Sequence, residues 1–363
     1  MITWRAGTVV SLGRQWSGAA EMAVRTPDGD VRALAYPGLV GSPEVGDRVL
    51  LNTTALERGL GTGGYALVVA LPDRLPDDGA RGPGHLVKSR YSPLQTMVLG
   101  VDEQESVHHE TLREADDLAG LPVVVADLHS ALPAIVAGVR GAAGAATPLR
   151  VVYVMTDGGA LPAAFSRTTS ALRETGWLVG TVTVGQAFGG DLEAVTVHSG
   201  LLAARAVLDA DVVVVAQGPG NLGTGTRWGF SGVAAGEAVN AAGVLGGRPV
   251  ASLRVSAADP RERHRGISHH SLTAYGRVAL VPADVVVPAL DGPLGTLVRS
   301  QAATLTRHRL VEHRLSEAAQ DQLAASPVAL STMGRGLDVD PSPFVAAAAA
   351  GEHAGLLALG SRD

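Results

Sequence analysis

The densest supply of reactive side chains in the sequence is Arg254-x-Ser256-x-x-Asp259-Pro260-Arg261-Glu262-Arg263-His264-Arg265-Gly266-Ile267-Ser268-His269-His270. Arg254, Arg261, Arg263 and Arg265 offer planar forks for the oxygens of an acidic substrate, and the three histidines exchange protons near neutral pH. The plain alternative is an exposed loop in which Arg261 and Arg263 pair with Asp259 and Glu262, an arrangement that contributes little. Three histidines this close together are unusual on a solvated face, so a functional role leads. Together with Asp127, His129 or Asp157 from other segments, His264, His269 and His270 could also hold a divalent metal. His264 and His269 are five residues apart and would diverge on one helix, so such a site needs a loop geometry.

A second candidate is Gly218-Pro219-Gly220-Asn221-Leu222-Gly223-Thr224-Gly225-Thr226-Arg227. It formally matches a dinucleotide-binding glycine pattern, yet seven residues separate Gly223 from the next helical stretch and no acidic residue ends the strand expected at Val250 to Val255. The free backbone N–H groups of Gly218, Gly220, Gly223 and Gly225, with Asn221, Thr224 and Thr226, suit a phosphate or carboxylate. Lys88 is the one lysine beside 28 arginines and sits near Arg90 and Tyr91, where it could fix an anion or form a Schiff base.

Composition removes several chemistries. No cysteine is present, which excludes disulfides, thiolate nucleophiles, iron-sulfur ligation and cysteine-type zinc sites. Lys88 lacks a Gly-x-x-x-x-Gly context, which excludes a P-loop, and Gly229-Phe230-Ser231-Gly232-Val233 fails the Gly-x-Ser-x-Gly elbow at its last position. A formal charge of -6 opposes general nucleic-acid binding. No apolar run reaches membrane-spanning length and the first residues lack a signal-peptide pattern, so no membrane association is expected and a cytoplasmic location is. The content of 46% hydrophobic and 18% charged residues implies a large core and, as an expectation, a homo-oligomeric interface.

The elements that must position these residues fall into two regions. Residues 1–85 hold short β-like runs (Gly7 to Leu12, Glu21 to Thr26, Val31 to Tyr36, Arg48 to Leu51, Tyr65 to Ala70) with close turn signals, as in a small β-barrel or sandwich. Leu71 to Gly84 reads as a linker. Over residues 86–363, apolar runs at Leu121 to Ala126, Leu149 to Met155, Trp177 to Val184, Asp211 to Ala216, Val250 to Val255 and Arg277 to Val287 alternate with helical patterns. This predicts an α/β domain with a doubly wound, mostly parallel sheet, Rossmann-like or flavodoxin-like, followed by a helical segment from residue 291 that packs on the sheet or on a partner subunit. Five successive strands run into polar loops: Asp127 to Ser130, Thr156 to Gly159, Gly185 to Asp191, Gln217 to Asn221, and Arg254 to His270. Ligands of such sheets bind at that end. Asp157 and Asp191 are equally well explained as helix caps and turn formers, and His108 and His109 as surface groups beside a helix start.

Gly223-Thr224-Gly225-Thr226-Arg227-Trp228-Gly229-Phe230-Ser231-Gly232, Arg263-His264-Arg265-Gly266-Ile267-Ser268-His269-His270 and Thr332-Met333-Gly334-Arg335 together resemble a bacterial family known only as a domain of unknown function, and the resemblance spans the chain, Leu51-Asn52-Thr53-Thr54-Ala55 included. It implies no activity. A fainter similarity, in layout and in His109 to Ala126, is to substrate subunits of glycine and proline reductases, whose thiol or selenol chemistry a cysteine-free chain cannot perform. From the residues themselves, the expectation is a hydrolase or group transferase acting on a small anionic metabolite. His264, His269 or His270 would serve as acid or base, Asp127 or Asp157 would assist, and the arginines and glycine loop would bind the anion. The competing class is a non-catalytic ligand-binding or assembly protein using the same pocket.

Overall fold

The computed structural model describes residues 1–77, 82–144 and 148–361; the expected linker at Leu71 to Gly84 includes residues 78–81, which lie outside the described residues. The chain divides into one unit of residues 1–99 with 164–170 and another of residues 100–163 with 171–363.

The first unit is a closed five-stranded barrel of strands β1 (Trp4–Trp16), β2 (Ala19–Thr26), β3 (Gly29–Ala35), β4 (Arg48–Asn52) and β5 (Ala66–Ala70). Their order is β1-β2-β3-β5-β4. Only β3 and β5 run parallel; β4 returns to pair with β1 and removes both sheet edges. The alternation of the strands turns Val9, Met22, Val24, Val49, Leu51 and Val68 into one interior. The barrel, rather than a sandwich, is what the turn-rich sequence builds. Lys88 ends the short strand Leu86–Lys88, which pairs with Thr96–Val98, and its side chain is fully buried.

The second unit holds eight strands, all parallel to their neighbours. From edge to edge they are Leu192–Glu193, Gly180–Thr183, Val151–Thr156, Val212–Gln217, Pro122–Val125, Arg248–Ser252, Asp284–Pro288 and Arg309–His313. Successive side chains of the central valine runs face opposite layers. Val123, Val125, Val213 and Val215 pack toward helix Ala234–Val244, whereas Val124, Val212 and Val214 pack toward helices Leu132–Ala143 and Ser342–Gly360. The helices that follow the adjacent strands Pro122–Val125 and Val212–Gln217 therefore leave to opposite faces. A crevice opens at such a switch point, beyond the carboxyl ends of the two strands.

The alanine run lies in the nineteen-residue helix Ser342–Gly360, which packs on the sheet and so closely on Leu132–Ala143 that the backbones nearly touch. A Cβ on Gly351 would stand 1.9 Å from the Ile135 carbonyl oxygen, and one on Gly138 2.0 Å from that of Ala348. The region from residue 291, expected to be helical, also contains the edge strand Arg309–His313. That strand escapes a search for apolar runs because it is half exposed, with charged residues at Arg309 and Glu312. The apolar stretch Arg277 to Val287 likewise divides into a π-helical turn at Ala274–Val278 and the strand Asp284–Pro288. Among the described residues no helix is long and apolar enough to cross a membrane.

Candidate functional site

The strand Arg248–Ser252 leads through Leu253 into Arg254, where the chain leaves the sheet as a hairpin of Val255–Ser256 paired with Gly266–Ile267. The hairpin returns the chain beside its start. Ser268 N–H donates to the Arg254 carbonyl at 2.8 Å, and Arg254 N–H donates to Ser271 Oγ at 3.0 Å. Gly266 has φ +66°, in the left-handed region, and a side chain there would strike Gln301, so the return requires glycine. Ser268 then caps the helix His269–Thr273 by accepting from His270 N–H. Just beyond, the Tyr275 hydroxyl lies 2.8 Å from the Val125 carbonyl and 3.1 Å from that of Ser252, pinning the segment to the ends of two neighbouring strands. Tyr153 does the same for the next strand, reaching the Ala216 and Gln217 carbonyls at 3.2 and 3.0 Å.

This path brings His264, His269 and His270 together. Their ring centroids are 4.4 to 5.0 Å apart, and one ligating atom from each lies within 4.8 Å of the others. His264 Nδ1 is 2.7 Å from Ser268 Oγ, and the His270 ring stacks on Phe230 at 3.9 Å. Asp127, 3% exposed, follows the strand Pro122–Val125 and directs Oδ2 to within 3.7 Å of His270 Nδ1. Arg254 Nη1 lies 3.4 Å from the same nitrogen. Burial, reinforced by the Arg254 and Arg261 guanidiniums, pushes His264 down to about 3. Burial, His270 and the Arg263 guanidinium push His269 down to about 4. Both rings are therefore neutral at pH 7, each with one N–H and one lone-pair nitrogen.

Across the switch point, Gln217 Nε2 donates to the Asp127 carbonyl and to Asn221 Oδ1, each at 2.9 Å. Gly232 opens the next helix so close to Asp127 that a Cβ would meet the Asp127 carbonyl oxygen at 2.8 Å. Two small clefts flank Asp127, one lined by Ser130, Arg254, Thr332 and Phe344, the other by Thr156, Gln217, Ser231 and Gly232. Among the described residues, four buried side-chain atoms make no hydrogen bond: Asp127 Oδ2, Gln217 Oε1, His269 Nε2 and Arg335 Nε.

Residues 32–351 match the model of a family described as Protein of unknown function (DUF3866). The chain belongs to DUF3866. No curated protein matches it.

The other expected site residues of this DUF3866 chain are distributed as follows. Arg261 spends its fork on Asp259, with Nε and Nη2 each 2.9 Å from a carboxylate oxygen. Asp259 is fully buried, also accepts from Arg335 at 3.1 Å, and is held far below the usual carboxylate range chiefly by the Arg261 hydrogen bonds. Asp340 ties the same hairpin through Ser256 Oγ at 2.6 Å. Arg263 is exposed, and Arg265, also exposed, donates to the Asp259 carbonyl. Gly218 is buried at a strand end, while Gly220 and the run from Gly223 through Thr224, Gly225 and Thr226 are exposed. That run folds on itself as a hairpin, with Thr224 N–H donating to the Gly229 carbonyl at 2.7 Å. Asn221 alone of these loop residues joins the Asp127 and Gln217 network. Asp157 is exposed and accepts from Gln186 N–H at 2.8 Å, which links the loops after the strands Val151–Thr156 and Gly180–Thr183. His129 meets the Tyr153 hydroxyl instead of the histidine cluster. Lys88 belongs to the other unit. Tyr153, Tyr275 and Asp340 escape sequence reasoning because each is an ordinary core or cap residue by type; Phe230, Ser268 and Arg335 are signalled only by the quoted runs that contain them.

Proposed function

We propose that this protein is an enzyme, a hydrolase or group transferase, that acts on a small anionic metabolite in the crevice beside Asp127. The observation that carries this is Arg254. Its side chain is only 9% exposed, yet its ion-pair contact with Asp259 is a loose 4.0 Å, because Arg261 and Arg335 already engage that carboxylate. A buried guanidinium without a close carboxylate is suited to bind an anion bidentately. Asp127 Oδ2, buried and without a hydrogen-bond partner, is the group suited to take up a proton. In hydrolysis, the water oxygen bonds to the acyl carbon or phosphorus, the leaving group departs with the bonding pair, and the proton shed by the water passes to Asp127. In transfer, an acceptor hydroxyl replaces the water. The switch-point topology supports a Rossmann-like reading of the larger unit.

A non-catalytic reading is favoured by one observation, the Asp259 and Asp340 hub, which consumes two of the arginines in holding the hairpin. Thermal shift with a panel of phosphates, nucleotides and carboxylates separates the two. A true ligand at 100-fold excess over its Kd adds about 2.7 kcal/mol to the native state. We expect such a shift in the wild-type protein and in Arg263→Gln, and its loss in Arg254→Gln. If no anion stabilises the wild-type protein while Arg254→Gln simply melts earlier, the non-catalytic reading holds.

A further inference from the structure

The imidazole cluster has more order than a proton relay requires. His264 and His270 each have one ring nitrogen facing a polar neighbour: Nδ1 of His264 is 2.7 Å from Ser268 Oγ, and Nδ1 of His270 is 3.7 Å from Asp127 Oδ2. Phe230 fixes the plane of the His270 ring by stacking on it at 3.9 Å. A hydroxyl against Nδ1 is the kind of outer partner that sets the tautomer of a ligating histidine, as Ser268 does for His264, whereas His270 Nδ1 lies between Asp127 and the Arg254 guanidinium. His269 Nε2 is buried and has no hydrogen-bond partner, as is Asp127 Oδ2. Such orphaned groups are rare in native proteins and call for an occupant.

We propose that His264, His269 and His270 form a binding site for one divalent transition-metal ion, best matched to zinc, with Ser268 and Phe230 as the groups that hold the His264 and His270 rings. Tetrahedral zinc with bonds of about 2.0 to 2.1 Å sets its ligand atoms about 3.4 Å apart. The three imidazole ligand atoms already lie within 4.8 Å of one another, so small side-chain rotations complete the site. Three nitrogen ligands leave the fourth zinc position open to water or to a substrate oxygen, the arrangement of catalytic rather than structural zinc. The nearest opposition is Arg254, 3.4 Å from His270 Nδ1. Its charge, with those of Arg261 and Arg335, is opposed by Asp127, Asp259 and Asp340 around the same hairpin, while Arg263 adds a further positive charge near His269. A bound dication then provides the positive surplus that would draw an anion to the open position. This deepens the function proposed above and rests on it only for the identity of what fills that position.

The test uses the full-length protein stripped with a chelator and dialysed. Titrated with zinc, it should retain one ion per chain by elemental analysis. Cobalt should give a visible d–d band that zinc bleaches. X-ray absorption of the zinc-loaded wild-type protein should show imidazole scattering from three nitrogens. His269→Gln and His264→Gln should each weaken zinc binding at least 100-fold with unchanged far-UV circular dichroism. Should a variant fail to fold, the wild-type absorption spectrum still decides. Zinc bound only through oxygen ligands, fewer than one zinc per ten chains, or equal affinity in a folded His269→Gln would each overturn the site. An anion shift that depends on Arg254 in zinc-free protein unable to bind zinc would sink the metal site and leave the proposed function standing; zinc bound at these histidines with no anion response would do the reverse.

Discussion

Replacing His269 with phenylalanine distinguishes a ligand from a strut. The His269 ring meets Phe230 edge-on with centroids 6.0 Å apart, a contact that phenylalanine can keep, while its buried Nε2 makes no hydrogen bond. Leaving a buried polar group unpartnered costs about 1 to 3 kcal/mol. The ring is only half buried, so the lower end applies, and metal-free His269→Phe should equal the wild-type protein or exceed it by about 1 kcal/mol. In a unit of roughly 250 residues that is a rise of about 2 to 4 °C in Tm. Zinc should reverse the order: at 100-fold excess over Kd it adds about 2.7 kcal/mol to the wild-type protein and nothing to the variant. Differential scanning fluorimetry in chelator and then in zinc reads both quantities. A metal-free loss above about 2 kcal/mol would show that the imidazole makes a contact that holds the fold, since removing an orphaned atom cannot cost that much. An equal zinc shift in both proteins would place the metal elsewhere.

The other predictions concern the scaffold. Gly351→Val should lower the urea midpoint by the equivalent of about 3 kcal/mol or more, or abolish soluble expression, because its Cβ would stand 1.9 Å from the Ile135 carbonyl oxygen and backbone cannot rotate aside as a side chain can; a wild-type midpoint would mean that the helices separate at little cost. His129 should make the protein acid-sensitive. Burial lowers its pKa from 6.5 to about 4, so the unfolded chain takes up the proton first; stability is whole above about pH 6.5 and falls as the pH drops toward 4. His129→Gln, which keeps a polar group near the Tyr153 hydroxyl, should lose less stability between pH 7 and pH 4.5 in urea titrations, and identical losses would remove His129 as the cause.

The fold was legible where one physical signal dominated. Valine runs with both faces apolar are satisfied by helices on both sides of a sheet, and turn residues every few positions favour a small, mostly antiparallel barrel. The signal failed at Arg309–His313, where an edge strand needs to bury only part of one face, and at Ala274–Val278, where an apolar run is used to build a π-turn that carries Tyr275 to the strand ends. Composition cannot separate a strand from a buried helical turn of the same length.

The site was legible as a segment and not as an arrangement, for a reason the arginines make plain. Arg254, Arg261, Arg263 and Arg265 have the same chemistry on paper, and position alone divides them: Arg261 is consumed by Asp259, Arg263 and Arg265 are exposed, and Arg254 is buried with no close carboxylate. What divides them is the hairpin of Val255–Ser256 with Gly266–Ile267, which turns a sequence separation of 14 residues between Arg254 and Ser268 into a hydrogen bond of 2.8 Å. Asp127 and Asp157 divide in the same way. Both follow strands of one sheet, but Asp127 lies at the switch point, where the following helices diverge and leave room, whereas Asp157 is two strands farther along and closes a loop by accepting from Gln186. A carboxylate at a strand end is therefore a candidate by type and a site residue only by topology, and the orphaned Oδ2 of Asp127 is the mark of that difference.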